Sequence, residues 1–156
     1  MRVLFMCTAN SCRSILSEAM FNHLAPPGFE AVSAGSFPKG LVLPRSLTTL
    51  QQAGISIDGL YSKGNDAFEG NPPDIVITVC DKAAGETCPV YFGPALKSHW
   101  GLEDPSEVTA DEAAIDAAFR ATLAHIERRC RAFLDLPFTR LSRDELKTEL
   151  DRIGVL

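Results

Sequence analysis

The chain has 156 residues, 46% hydrophobic and 22% charged, enough for one soluble domain with its own core. A net charge of −5 argues against a nucleic-acid partner. No stretch approaches the roughly 20 apolar residues of a membrane span, and the apolar run after Met1-Arg2 is too short for a signal peptide, so a cytoplasmic location is expected. In that compartment the five cysteines should not form a permanent disulfide framework; each is a core residue, a ligand or a redox group.

In chain order, residues 2–6 read as a buried strand. Residues 13–24 read as a helix with Ile15, Leu16, Ala19, Met20 and Leu24 on one face, stopped by Ala25-Pro26-Pro27-Gly28. Phe29 to Ala34 forms a second strand, and Ser36 to Val42 a loop. Pro44 suits the first turn of a helix running to Gln52, ended by Gly54. Residues 60–73 are polar, with one helical turn at Asp66–Glu69. Asp74 to Val79 has the unbroken apolar and β-branched character of a central parallel strand. A long loop over 80–95 follows, then a short strand at Lys97–Trp100. Thr109 with Glu112 forms a capping box for a helix to Asp135. Its stripe is Ile115, Phe119, Leu123, Ile126, Cys130 and Phe133. Ser142 with Glu145 is a second capping box, opening a helix to Ile153. Strands alternating with helices predict an α/β fold with a parallel sheet.

The chemistry concentrates in Val3 to Ser14. Cys7 follows an apolar strand, and Arg13-Ser14 opens a helix, giving Cys-x5-Arg-Ser at a strand-to-helix junction. Such a loop can wrap a tetrahedral oxyanion with inward N–H groups, a helix N-terminus and the fork of Arg13. Thr8, Ala9, Asn10, Ser11, Cys12, Arg13 and Ser14 are the candidate oxyanion-binding residues. Asn10 tolerates the left-handed backbone a tight loop needs. The same field should favour the Cys7 thiolate, lowering its pKa from about 8.5, and Ser14 can donate to the sulfur. Further on, Cys80 and Cys88 flank a polar segment containing Gly85. Their C-x7-C spacing is poor for zinc, but a flexible segment could bring the sulfurs together with Cα atoms about 5.5 Å apart.

The Cys7 loop resembles that of the low-molecular-weight protein tyrosine phosphatases and of the arsenate reductases sharing their fold. With Cys80 and Cys88 included, the pattern resembles the thioredoxin-coupled arsenate reductases. The resemblance covers residues 2–135 and implies one domain with strand order 2-1-3-4. Residues 136–156 form a C-terminal helical extension with no function assigned. Ligands bind where such an order reverses, so Cys7 and Cys80, each ending a strand, should emerge side by side about 4.8 Å apart.

The resemblance also implies an activity: arsenate reduction by a Cys7–Cys80–Cys88 disulfide relay, re-reduced by thioredoxin or, less in keeping with the cysteine pattern, glutaredoxin. Asp104, preceding Pro105, matches the family's general acid, a role that requires a raised pKa; Glu103 matches less well. His99 and Trp100 shape and pack that loop. Cys12 packs under the anion loop or protects the nucleophile, and Cys130 belongs to the core. Asn10, Glu18 and Ser33 align with ligands of a potassium ion bound by some reductases. The fourth, acidic position aligns with Lys63, whose ammonium would replace the ion. No metal or organic cofactor, no nucleic acid and no membrane is implied, and a monomer is expected. A tyrosine phosphatase, with Phe37 or Trp100 stacking on its substrate, and a non-catalytic redox sensor are the alternatives.

Overall fold

The structure, a computed structural model, describes residues 1–80 and 94–156. The order is β1 (Arg2–Cys7), α1 (Arg13–Leu24), β2 (Glu30–Gly35), α2 (Pro44–Gln52), β3 (Ile75–Thr78), β4 (Leu96–His99), α3 (Glu112–Leu134) and α4 (Arg143–Ile153). Short 3-10 turns occur at Asn65–Phe68, Pro105–Glu107 and Phe138–Arg140.

The four strands form a parallel sheet in the order β2-β1-β3-β4, as expected. β1 is inner because it can be buried on both faces. Val3, Leu4, Phe5 and Met6 are all at most 2% exposed, the continuous apolar run that a two-sided strand requires. Cys7 lies opposite Gly35 of β2, and Met6 opposite Thr78 of β3. The order reverses between β1 and β3, so the carboxyl ends of these two strands open the crevice where Cys7 and Cys80 emerge.

α1 is buried along Ser14 to Phe21 and packs between the sheet and α3. The stripe of α3 is as expected, with Phe119, Leu123, Ile126, Cys130 and Phe133 buried. The ring of Phe133 meets Phe21 and Trp100 at centroid distances of 5.5 and 6.2 Å. One cap differs from expectation. Thr109 does not open α3; the N-cap is Asp111, whose carboxylate accepts from Ala114 N at 2.8 Å. Aspartate two residues nearer the helix reaches the amide of the third helical residue, in the first turn, which threonine cannot. The Ser142–Glu145 capping box forms in full. α4 lies against the free side of β4 and adds Leu150 and Ile153 to the main core. Ser98 Oγ donates to Asp151 at 2.7 Å, and Trp100 Nε1 donates to the Leu150 carbonyl at 2.9 Å.

Candidate active site

The loop after β1 is shaped by where its carbonyls go. Thr8 O accepts from Phe37 N, Ala9 O from Lys39 N and Ser62 Oγ, and Ser11 O from Leu43 N and Ser46 Oγ, all at 2.9–3.3 Å. Each carbonyl is therefore turned outward. The peptide plane then turns the next N–H, those of Ala9, Asn10 and Cys12, toward the cleft. Asn10 takes φ 49°, the left-handed conformation expected of it. Gly35 lies directly beneath the loop: a Cβ there would sit 2.5 Å from Thr8 O and 2.9 Å from Asn10 N. The closing turn opens α1, whose N-cap Cys12 makes no side-chain capping bond. The helix thus offers its first amides to an anion.

A cleft of about 520 Å³ lies over this loop. Cys7, Thr8, Ala9, Ser11, Cys12, Arg13, Cys80, Glu103 and Asp104 line it, joined by Lys39, Leu43, Leu102, Ser106 and Glu107. Arg13 donates to Leu102 O at 3.1 Å and to Asp104 Oδ2 at 3.3 Å, which fixes its fork across the cleft. The other Asp104 oxygen, Oδ1, accepts from Ser106 N at 2.9 Å and Ser106 Oγ at 2.6 Å. Ser106 therefore aims Oδ2 into the cleft. Glu103 lines the same space, yet it is Asp104 that pairs with Arg13.

Cys7 and Cys80 are both buried and in side-chain hydrogen-bond contact. Thr8 Oγ1 lies 3.7 Å from Cys80 Sγ. This contact reverses the expectation for the Cys7 pKa. The hydrogen bond with Cys80 and burial hold the thiol well above its ordinary range, outweighing the Arg13 guanidinium and the Thr8 amide, which pull it down. The loop supplies the lowering groups, and the second sulfur, expected beside Cys7, supplies the largest raising one. Cys80→Ala removes the largest raising cause, so the 240 nm thiolate absorbance of Cys7 should appear at lower pH than in the native protein. Alkylation of Cys7 by iodoacetamide at neutral pH should also be faster; an unchanged titration would show that Cys80 does not hold the proton.

Burial pushes the Cys12 thiol up to about 11 and that of Cys130, inside the core, up to about 12. Cys88 lies outside the described residues, as does most of the loop expected over 80–95. Trp100 is 3% exposed, bonded to α4 and packed on Phe133. It cannot stack on a substrate ring, which corrects one of the two aromatic candidates; Phe37 is exposed. His99 ends β4, with Nδ1 2.8 Å from Thr78 Oγ1.

Beneath the loop, a buried polar network joins four predicted positions. Asn10 Nδ2 donates to Ser14 Oγ (2.8 Å) and Ser33 Oγ (3.0 Å), and Ser33 Oγ donates to Glu18 Oε1 (2.7 Å). Lys63 completes it. Its Nζ lies 3.6 Å from Glu18 Oε1, and its backbone N–H donates to Asn10 Oδ1 at 2.9 Å. Burial pushes the Glu18 pKa up and that of Lys63 down, and the attraction between the two opposes both shifts. The ammonium also donates to Tyr61 O at 2.8 Å and sits over the Tyr61 ring. Among the described residues, no group of three or more His, Cys, Asp or Glu comes together to hold a metal ion.

Sequence reasoning missed Gly35, Lys39, Ser62 and Ser106. A serine two residues after Asp104 was a readable signal for a carboxylate bound to its own turn. Nothing local marked the others, which reach the loop from distant segments.

The low-molecular-weight phosphotyrosine protein phosphatase family matches residues 2–149. The chain belongs to that family. Among its relatives, the arsenate reductase of Bacillus subtilis (strain 168) is 30% identical over 133 residues, covering 85% of this chain and 94% of that protein. Among solved structures, the arsenate reductase of Archaeoglobus fulgidus DSM 4304 superimposes with a TM-score of 0.71 at 25% identity, covering 86% and 99% of the two chains. A thioredoxin-dependent arsenate reductase of Corynebacterium glutamicum gives a TM-score of 0.58 at 26% identity, covering 83% of this chain and 61% of that one.

Proposed function

We propose that this family member is an arsenate reductase working by a three-cysteine relay. The observation that carries the reading is the Cys7–Cys80 contact inside a cleft that also holds Arg13 and Asp104. A phosphatase needs the first, third and fourth of these groups and has no use for a second buried sulfur beside its nucleophile. The names of the relatives above agree with a reductase.

Arsenate binds to the inward amides and the Arg13 fork. Cys7 sulfur attacks arsenic; the thiol proton and one arsenate hydroxyl leave as water, with Asp104 Oδ2 delivering the proton to the departing oxygen. Ser14 Oγ accepts from Asn10 Nδ2 and so belongs to the support beneath the loop. Cys80 then attacks Cys7 sulfur. The S–S bond forms as the S–As bond breaks, and its electron pair passes to arsenic, reducing As(V) to As(III). The Cys80 proton leaves with arsenite. Cys88 attacks Cys80, freeing Cys7, and the Cys80–Cys88 disulfide is reduced by a dithiol protein, thioredoxin in preference to glutaredoxin. The protein acts as a cytoplasmic monomer, with no metal or organic cofactor. Glu18, Ser33, Asn10 and Lys63 hold the loop from below.

Assays with arsenate or phenyl phosphate, each with and without thioredoxin and its reductase, test the reading. Continuous arsenite formation that requires thioredoxin supports it. Phenol release without arsenite would make the protein a phosphatase, and a thiol-disulfide change with neither product would make it a redox sensor. Arg13→Lys should lower both affinity and rate in the productive assay, by about 100-fold in kcat/KM, because an ammonium cannot reproduce the two-toothed grip. Native kinetics in that variant would mean that arsenate is held elsewhere.

A further inference from the structure

Arg129 is a charged residue deep in the fold with no part in the chemistry above. It lies on α3 and is only 4% exposed. Its guanidinium donates to Gly101 O at 3.0 Å, Gly154 O at 3.0 Å and Leu156 O at 3.4 Å. It therefore ties two segments more than 50 residues apart in sequence: the start of the Asp104 loop and the turn after α4. Burial lowers its pKa, so the charge is held there at a cost that the three backbone oxygens offset.

The turn after α4 is pressed onto the same junction. A Cβ at Gly154 would sit 2.4 Å from His99 O and 3.0 Å from Trp100 Cδ1. Trp100 Nε1 bonds to Leu150 O from the other side. Beyond Gly101, Leu102 N donates to Val79 O at 3.0 Å, and Leu102 O receives Arg13. The path is short: α4 turn, Arg129, Gly101, Leu102, then Asp104 on Arg13.

We propose that Arg129 and the C-terminal turn form a clamp that positions the Asp104 loop, so that Arg129 is a positioning residue for proton delivery. Removing the donors frees Gly101 and lets Asp104 Oδ2 drift from its place over the oxyanion. A displacement of about 1 Å suffices to cost a large factor in rate. The loop amides and the backbone of Arg13 at the start of α1 stay in place, so the effect on proton delivery exceeds the effect on substrate binding.

The kinetic arm of the test rests on the proposed role of Asp104 in arsenate reduction. Arg129→Met keeps the volume of the stem and removes every donor. It should lower kcat about tenfold with KM within about twofold. In an Asp104→Asn background the same substitution should have no further effect, because the group it positions is already gone. Arg129→Lys should recover part of the loss. Equal losses in both backgrounds, or no loss in the native background, would overturn the proposal. Hydrogen exchange is independent of the reaction. In Arg129→Met the amides of residues 101–104 should exchange faster while those of β1 do not; unchanged exchange at 101–104 would overturn the clamp even if arsenate is not the substrate. If Arg129→Met does not fold, Arg129→Lys, with one ammonium for three carbonyls, carries both measurements.

Discussion

Cys7→Ser is expected to abolish arsenate reduction and leave the fold intact. Cys7 is 5% exposed, and serine fits its space at the end of β1. The chemistry does not survive. A serine hydroxyl almost never loses its proton near neutral pH, and an oxygen bonded to arsenic could not accept Cys80 to form a disulfide. Loss of a nucleophile costs on the order of 10⁴ to 10⁶ in rate. Circular dichroism and thermal unfolding should match the native protein, and inorganic phosphate should still bind, since the loop amides and Arg13 remain. Substantial arsenite production by this variant would sink the assignment.

The second large effect falls on stability. Lys63→Met should destabilise the protein by about 3–5 kcal/mol, because it leaves the Glu18 carboxylate buried without its cation. Glu18 would then accept a proton more readily in the folded state. A carboxyl whose folded pKa is raised stabilises the fold below its unfolded pKa and loses that contribution as pH rises. The deficit in melting temperature should therefore be smaller at pH 5 than at pH 8. Adding Glu18→Gln to Lys63→Met should recover much of the loss. In the native protein, exchanging sodium for potassium at fixed ionic strength should leave both activity and melting temperature unchanged, since the ammonium already neutralises Glu18. A specific stabilisation by potassium would show that a cation site persists beside Lys63.

Much of this architecture is readable from the residues. β1, α1 and the loop between them form one continuous segment, so Cys7, Asn10 and Arg13 could be related by spacing alone. The pairing of Cys7 with Cys80 needed the strand order, because 72 residues separate them and only the reversal of the sheet makes them neighbours. The same neighbour sets the sign of the Cys7 pKa shift, whose largest cause is the hydrogen bond with Cys80 just beyond β3. The α3 cap failed for a local reason. Thr109, Asp111 and Glu112 crowd one turn, and three-dimensional reach, not residue type, selects Asp111. For residues 136–156 the Ser142–Glu145 capping box announced a helix. Nothing local announced that its far end would be held by Arg129 or that its leucines would join the main core.

Cys88→Ser tests the relay most directly. If Cys80 completes the reduction, Cys88 is dispensable for the first arsenite and essential for the next. The reduced variant, treated with arsenate and alkylated, should release about one arsenite per protein and stop, with mass spectrometry locating a disulfide between Cys7 and Cys80 that thioredoxin opens poorly within the cleft. Continuous turnover of Cys88→Ser with thioredoxin, or arsenite release without a Cys7–Cys80 disulfide, would contradict the three-cysteine account.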